Sequence, residues 1–365
     1  MRLSGIGRIG VLRANRIGDV LFTLPALEAL RAAYPSAEIV FLGARLAHAL
    51  FEDRPSPVDR VITVPTSVGV NTTDGAPASA DTLEAFFAAM RREHFDLVLQ
   101  MHGGGHYSNP FARRLGARIT AGFRARDAEP LDLWVPYIYF HPERLRYLEL
   151  ASLVGAPPVT LDCHLTATPR DIAEAAAAVQ ISGDETTVLL HPVSSDPRRC
   201  WPPESFAEVA DALADRGARI LINGVASERE RTRRVAAAMR HRPIDLAGRL
   251  SLRGLIGLLA RCDLVVGNDS GPLHLADALG VPSVGLYWCG NLINSTPLTR
   301  TRHRPLGSWQ LECSLCGANC MTAHCDHPVS FVSDIDPADV LAAALELLDA
   351  PRQAEAACSP WAASA

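Results

Sequence analysis

Short β-branched runs alternate along this chain with alanine- and leucine-rich segments whose apolar positions recur at helical spacing. In the first half, the runs at 9–12, 38–42, 60–64 and 97–100 predict buried strands, and the periodicity predicts helices over 23–33, 81–92 and 142–154. Between them "TSVGVNTTDGAPASA", residues 66–80, reads as a polar surface loop, either a mobile lid or plain disorder. A second series starts after "GAPPVTLDCHLTATPRD" with a short alanine helix at 171–179. Strands are expected at 187–190, 219–222, 244–245, 264–266 and 283–286, separated by helices at 204–216, 227–239, 251–260 and 271–279. An amphipathic helix within "DPADVLAAALELLDA", capped by Asp334 or Asp336, precedes an alanine-rich tail.

Alternation of this kind builds parallel sheets covered by helices, so the fold class is α/β. The 365 residues exceed what one core sustains, and the Pro- and Thr-containing stretch near 160–185 divides the two series. The expected architecture is two Rossmann-like doubly wound domains facing a central cleft. The N-terminal domain covers 1–165 and the C-terminal domain 166–335; a closing helix over 336–350 has the option of packing back on the N-terminal domain, and a loose tail covers 351–365. Such a pair suits a transferase, with a nucleotide on one side and an acceptor on the other, although a fold by itself assigns no activity.

Composition narrows the field. Apolar residues make up 48% and charged residues 21%, which places the chain with soluble globular proteins. A formal charge of -5 offers no general attraction to nucleic acid or an anionic membrane, and the basic run "RERTRRVAAAMRHR" at 229–242 reads as a solvated helix face before it reads as a binding patch. Arg261 and Asp263 interrupt the richest apolar stretch, and Arg8, Arg13, Arg16 and Asp19 leave the amino terminus without the apolar core of a secretory signal. A cytoplasmic protein is expected.

Chemistry-bearing residues gather where strands hand over to helices. Asp19 follows the first strand in "NRIGDVLFTLPAL" and reads equally as a helix cap or as a reacting carboxylate. In "CDLVVGNDSGPLHLADALGVPSVGLYW", residues 262–288, a strand ends in the turn Gly267-Asn268-Asp269-Ser270-Gly271 and a helix opens at Pro272. Amides at such a helix start form an anion site suited to a diphosphate, which Gly271 lets approach, Ser270 supplements with a hydroxyl and His274 can reach. Taken singly, Asp269 is better explained as a cap and His274 as a core histidine; it is their combination that points to an anion site. After the strand at 97–100, "MHGGGHYSNPFARRLGARITAGF" sets His102, His106 and Asn109 around a glycine run on the expected cleft.

Taken together and in order, "NRIGDVLFTLPALEALRAAYP", "HPVSSDPRRCWPPESFAEVADAL" and "NDSGPLHLADALG" resemble the ADP-heptose:lipopolysaccharide heptosyltransferase family, glycosyltransferase family 9, over about residues 8 to 348. The resemblance implies an inverting enzyme with the GT-B fold. It implies that Asp19 is the general base, that Asp269, Ser270, Gly271 and His274 contact the donor diphosphate and sugar, and that Glu228 holds the nucleotide ribose, with Glu230 the other possible register. Arg199 stands where the family usually has a lysine for the donor phosphate, two residues before the Trp-Pro pair. His141 and Arg146 match a region that helps bind the anionic acceptor, and Arg16, His102 and Asn109 are placed with them on the acceptor side. Arg13, Arg113 and Arg114 can meet phosphates or carboxylates of the same acceptor.

The implied reaction moves heptose from ADP-heptose to a lipid-linked lipopolysaccharide inner-core acceptor, with peripheral contact at the inner membrane. Its physical logic is sound without a cofactor, because Arg199, Ser270 and helix amides can stabilise the charge that develops on a departing diphosphate while one carboxylate accepts the acceptor proton. Transfer of another sugar, or to a protein, remains open, as does a non-catalytic metal-binding or scaffold protein. A dinucleotide-dependent dehydrogenase is disfavoured, since "RANRIGD" lacks the G-x-G-x-x-G turn.

Of nine cysteines, Cys163, Cys200, Cys262, Cys289 and Cys358 are scattered. Cys313, Cys316, Cys320 and Cys325 form a C-x2-C-x3-C-x4-C array that can enclose a structural zinc or iron, with His324 and His327 as alternative ligands, or can stay free or paired thiols.

Overall fold

Strands buried on both faces need little alternation, and β1 (Arg8–Leu12) shows why: four of its five residues are fully enclosed. It sits inside a parallel sheet with β2 (Glu38–Gly43), β3 (Arg60–Thr63), β4 (Leu97–Gln100), β5 (Ile119–Arg124) and β6 (Leu133–Pro136), in the order β3-β2-β1-β4-β5-β6. The computed structural model describes residues 2–181, 185–323 and 325–350, so the tail expected over 351–365 lies outside the described residues. Two compact units meet in sequence between Thr166 and Ala167.

In the first unit, Leu12, Val40 and Val98 from the sheet pack with Phe87, Phe95 and Phe111. The stretch at 66–80 is no free lid. Ser67 and Asn71 form a bridge, and the fully buried Asn71 amide donates to the Val64 carbonyl at 2.8 Å, so the turn is tied to the end of β3.

The second unit repeats the plan with β7 (Thr187–His191), β8 (Arg219–Ile222), β9 (Ile244–Asp245), β10 (Leu264–Asn268), β11 (Ser283–Trp288) and β12 (His303–Ser308), ordered β12-β11-β10-β7-β8-β9. Its core joins Val188, Leu190, Val266 and Leu286 to Trp201 and Phe206. The closing helix Pro337–Asp349, capped by Asp336, contributes Val340, Ala344 and Leu347 to this same core, where the sequence left open a return to the N-terminal domain.

Each sheet reverses its winding once, between β1 and β4 in the first and between β7 and β10 in the second. The crevice outside the carboxyl ends at such a reversal is where doubly wound sheets place their ligands.

Candidate active site

At the first reversal, β1 runs into Arg13, which is 5% exposed. Its guanidinium donates to Asp19 Oδ1 at 2.6 Å and lies over the ring of the buried Tyr147, 5.7 Å from the centroid. Burial works against the charge on Arg13, but Asp19, Tyr147 and Glu143 together outweigh it and push the guanidinium above its usual range. The other Asp19 oxygen accepts the Arg16 N–H at 3.3 Å, at the third position of the short helix Ile17–Leu21. One carboxylate therefore caps a helix and keeps a fixed, accessible face.

From the neighbouring strand, β4 delivers His102 to the same electrostatic neighbourhood. Burial and the Arg13 charge push its imidazole down to about 3, so the ring is neutral at physiological pH. Its main chain is locked by Gln100 and Ser108, and Nδ1 has no partner among the described residues.

Other acceptor-side expectations fare differently. Asn109, expected on the acceptor side, is fully buried and commits its amide to the carbonyls of Phe123 and Glu129 at 3.0 and 2.7 Å, which ties the loop together. Arg146 is likewise enclosed, donating to the carbonyls of Ile138, Tyr139 and His141 and pairing with Glu143. Arg16 is exposed; His141 is partly so, with Nδ1 3.1 Å from the Pro142 carbonyl. Arg113 braces the Pro130 carbonyl and Arg114 pairs with Glu84 over the Phe87 ring, both occupied by the scaffold.

At the second reversal, charges are arranged the other way round. Asp269, 4% exposed, accepts from Arg199 Nη1 at 2.9 Å and from Ser295 Oγ at 3.1 Å, and His274 Nε2 lies at 3.1 Å. Burial opposes ionisation of this carboxyl, yet His274, Arg199 and Ser295 together hold it below the usual carboxylate range. Arg199, carried by the short turn Pro197–Arg199, keeps 19% of its side chain exposed and also donates to Ser195 Oγ at 3.1 Å. The resemblance implies that Asp269 and His274 contact the donor; here both are nearly enclosed, with Asp269 pairing with Arg199 and His274 lying against Asp269.

The turn after β10 is narrower as an anion site than its sequence suggests. Leu273 and His274 donate their N–H groups to the Ser270 carbonyl, and Pro272 has none. Ser270 and Gly271, both partly exposed, retain N–H groups that donate to no partner among the described residues. Ser194 ties this turn to the end of β7 through the Asp269 carbonyl at 3.2 Å.

Beyond β8, Glu228 is partly buried and its Oε2 accepts the Val225 N–H at 2.7 Å, whereas Glu230 pairs with Arg234 on the exposed helix face. The basic run is not wholly solvated. Arg231 reaches back to the carbonyls of Pro192 and Trp201 at 2.8 and 2.9 Å and braces the loop that carries Arg199. Neither Arg231 nor Ser295 carries a local sequence signal, because each acts across the fold.

The cysteine array is resolved into a different quartet. Ligand atoms of Cys313, Cys316, Cys325 and His327 all lie within 4.8 Å of one another. Cys320 is outside the group, its thiol turned toward the Ala318 carbonyl and the Arg198 side chain. His324 lies outside the described residues.

Comparison with known proteins decides the family. The model of glycosyltransferase family 9 (heptosyltransferase) matches residues 83–323, well over half of the chain. The chain belongs to glycosyltransferase family 9. Lipopolysaccharide heptosyltransferase 1 of Escherichia coli K12 is 29% identical to this family 9 enzyme over 295 residues, 77% of this chain and 87% of that protein. The glycosyl transferase family 9 protein of Veillonella parvula, 24% identical, matches with a TM-score of 0.79 over 95% of this chain and 98% of its own. Escherichia coli heptosyltransferase WaaC, solved with ADP-2-deoxy-2-fluoro heptose, matches at a TM-score of 0.63 and 22% identity over 82% and 93% of the two chains. The chain accordingly has the GT-B fold and is a glycosyltransferase of the heptosyltransferase type. Among the described residues, no helix is long and apolar enough to cross a membrane.

Proposed function

We propose that this family 9 glycosyltransferase is an inverting enzyme that transfers heptose from ADP-heptose to a lipopolysaccharide inner-core acceptor, with the N-terminal domain over 1–165 binding the acceptor and the C-terminal domain over 166–335 the nucleotide sugar. One observation carries the reading. The two switch points hold ion pairs of opposite sense: accessible Asp19 is fixed by buried Arg13, and accessible Arg199 by buried Asp269. One pair offers a base and the other an anion anchor.

The acceptor hydroxyl attacks the anomeric carbon as the bond from that carbon to the diphosphate oxygen breaks. The electron pair leaves with ADP, and the hydroxyl proton passes to Asp19. Arg199, with the N–H groups of Ser270 and Gly271 and the Ser270 hydroxyl, takes up the charge developing on the diphosphate. A cation held in place by a buried carboxylate needs no reorganisation at that moment, and this reading requires no cofactor for transfer. Glu228 receives a ribose hydroxyl on the oxygen not bonded to Val225. Neutral His102, with Arg16 and His141, orients the acceptor.

The same proposal places the enzyme in the cytoplasm, peripheral to the inner membrane. Ile138, Tyr139 and Phe140, exposed by 58%, 62% and 47%, form an apolar patch next to His141 that suits a lipid-linked acceptor.

Mass spectrometry of products from ADP-heptose and a panel of lipid-core acceptors tests this. ADP should be released only when an acceptor is present, with one heptose added to it. Consumption of a different nucleotide sugar, or labelling of a protein acceptor alone, would replace the substrate half of the proposal. Failure of every nucleotide sugar to react with any acceptor would overturn the whole.

A further inference from the structure

The segment between β12 and the closing helix, residues 309–336, carries among its described residues no helix and no strand beyond the single Glu312–Asn319 bridge. Connections this long without regular structure are uncommon in compact domains and need some other source of order. Here that order centres on the Cys313, Cys316, Cys325 and His327 quartet.

Its spacings suit a tetrahedron. Metal–sulfur bonds of about 2.3 Å and metal–nitrogen bonds of about 2.0 Å give edges of roughly 3.8 Å between sulfurs and roughly 3.5 Å between sulfur and nitrogen. The Cys316 and Cys325 sulfurs are 3.5 Å apart, and His327 Nδ1 lies 3.6 Å from Cys313 Sγ and 3.3 Å from Cys325 Sγ. A disulfide would need the sulfurs at about 2.05 Å. The backbone is also arranged for a metal thiolate. Cys313 and Gly317 are closed into a tight turn by Gly317 N–H to Cys313 carbonyl at 2.8 Å and Cys313 N–H to Ala318 carbonyl at 2.9 Å, with Gly317 at a φ of +70° that residues with side chains rarely adopt. That turn aims the N–H groups of Leu315 and Cys316 at the Cys313 sulfur.

The residues that follow His327 reach the donor-side loop. Phe331 donates its N–H to the Arg198 carbonyl at 2.7 Å, and Ser330 Oγ donates to the Cys200 carbonyl at 2.8 Å, so both neighbours of Arg199 are held by this strap. Trp201 Nε1 donates to the Ile335 carbonyl at 3.0 Å, and Phe331 packs on Trp288 with ring centroids 5.3 Å apart.

We propose that Cys313, Cys316, Cys325 and His327 bind one tetrahedral divalent ion of the zinc or iron(II) class, and that this ion fixes the strap that positions Arg199. Four protein ligands close the site, so the ion is structural and offers no open position to substrate. Binding displaces the thiol protons of the three cysteines to solvent. The positioning half of the inference rests on the assignment of Arg199 to the donor diphosphate; the metal half does not.

Elemental analysis of the purified full chain should find close to one zinc or iron per molecule, the two sources distinguished by the element. Cys325→Ser should lose the metal, Cys320→Ser should keep it, and His327→Cys should keep it as a four-thiolate site. Because Cys325→Ser can misfold, the wild-type protein is also stripped with a chelator and reloaded with cobalt(II), which should give thiolate-to-cobalt charge-transfer bands. Stripping should weaken ADP binding in calorimetry about tenfold and raise the donor KM with the acceptor KM unchanged, and reloading should restore both. Metal-free protein that is folded as isolated and takes up no cobalt, or loss of metal from Cys320→Ser equal to that from Cys325→Ser, overturns the site. Unchanged ADP affinity after stripping overturns the positioning role. A loaded wild-type protein that binds no ADP at all counts instead against the proposed function.

Discussion

In the proposed reaction scheme Arg13 and Asp269 position the groups that meet substrate, as the buried partners of Asp19 and Arg199. A side chain buried around one charge must keep its counter-ion, since an unpaired buried charge costs several kcal/mol. That necessity is what holds Asp19 and Arg199 in single orientations. Arg13→Met should therefore cut transfer about 100-fold while ADP affinity in calorimetry stays within twofold, given the modest exposure left to Asp19. An unchanged rate would remove Arg13 as the positioning residue. Arg199 is one of 35 basic residues in a chain without a single lysine, so arginine there reflects the whole sequence as much as the site. Arg199→Met should raise the donor KM by about 100-fold and Arg199→Lys by no more than about tenfold, because lysine keeps the charge and loses only the fork to Asp269 and Ser195. Equal effects would show that charge is not the operative property. His191 gives a pH signature. Burial pushes its imidazole from about 6.5 down to about 4, so the unfolded chain binds a proton that the folded one refuses. Stability is then full above about pH 6.5 and falls as pH drops toward 4, by up to about 3 kcal/mol, with His102 adding in the same direction. Urea midpoints measured across that window should fall less steeply for His191→Asn than for wild type; parallel slopes would count against the assignment.

Central strands were legible from residue type alone, because the middle residues of β1, β2, β4, β7 and β10 are enclosed on both faces and read as short apolar runs, with polar residues only at the strand ends. Three strands carry no such signal, for identifiable reasons. The "ITAGFR" of β5 is diluted by glycine and threonine, and β6 and β12 are edge strands containing proline, which an edge tolerates. Short helices such as Ser108–Arg114 lack enough turns to show a period. At the site, the turn motif drew attention to Asp269, Ser270 and Gly271, but the burial of Asp269 depends on Ser295 and Arg199, which lie far along the chain. Helix packing offers its own test. A Cβ on Gly257 would lie 2.0 Å from the Asp171 carbonyl oxygen, where the helices Leu252–Leu259 and Pro169–Ala178 touch. Gly257→Ala should cost more than about 2 kcal/mol and lower the thermal midpoint by several degrees, while the activity of the fraction still folded is unaffected. A midpoint equal to wild type would mean that the two helices are not in that contact.

Both units wind six parallel strands in the same order about one reversal, and each reversal carries one accessible charge backed by one buried charge of opposite sign. In the proposed scheme that repetition supplies a base from one sheet and an anion anchor from the other, the sign being set by the residues after each central strand. The apolar patch at Ile138, Tyr139 and Phe140 adds a membrane-facing expectation: replacing all three by serine should reduce turnover on acceptor presented in vesicles about tenfold and leave turnover on a soluble acceptor fragment unchanged. Equal loss on both would assign the patch to folding instead. The claim beneath all of this is that Asp19 receives the acceptor proton, and it is tested most directly by the transfer rate of Asp19→Asn with ADP-heptose and acceptor both saturating. The account predicts a fall of about 100- to 10,000-fold, the usual contribution of a general base; a rate within twofold of wild type would contradict it.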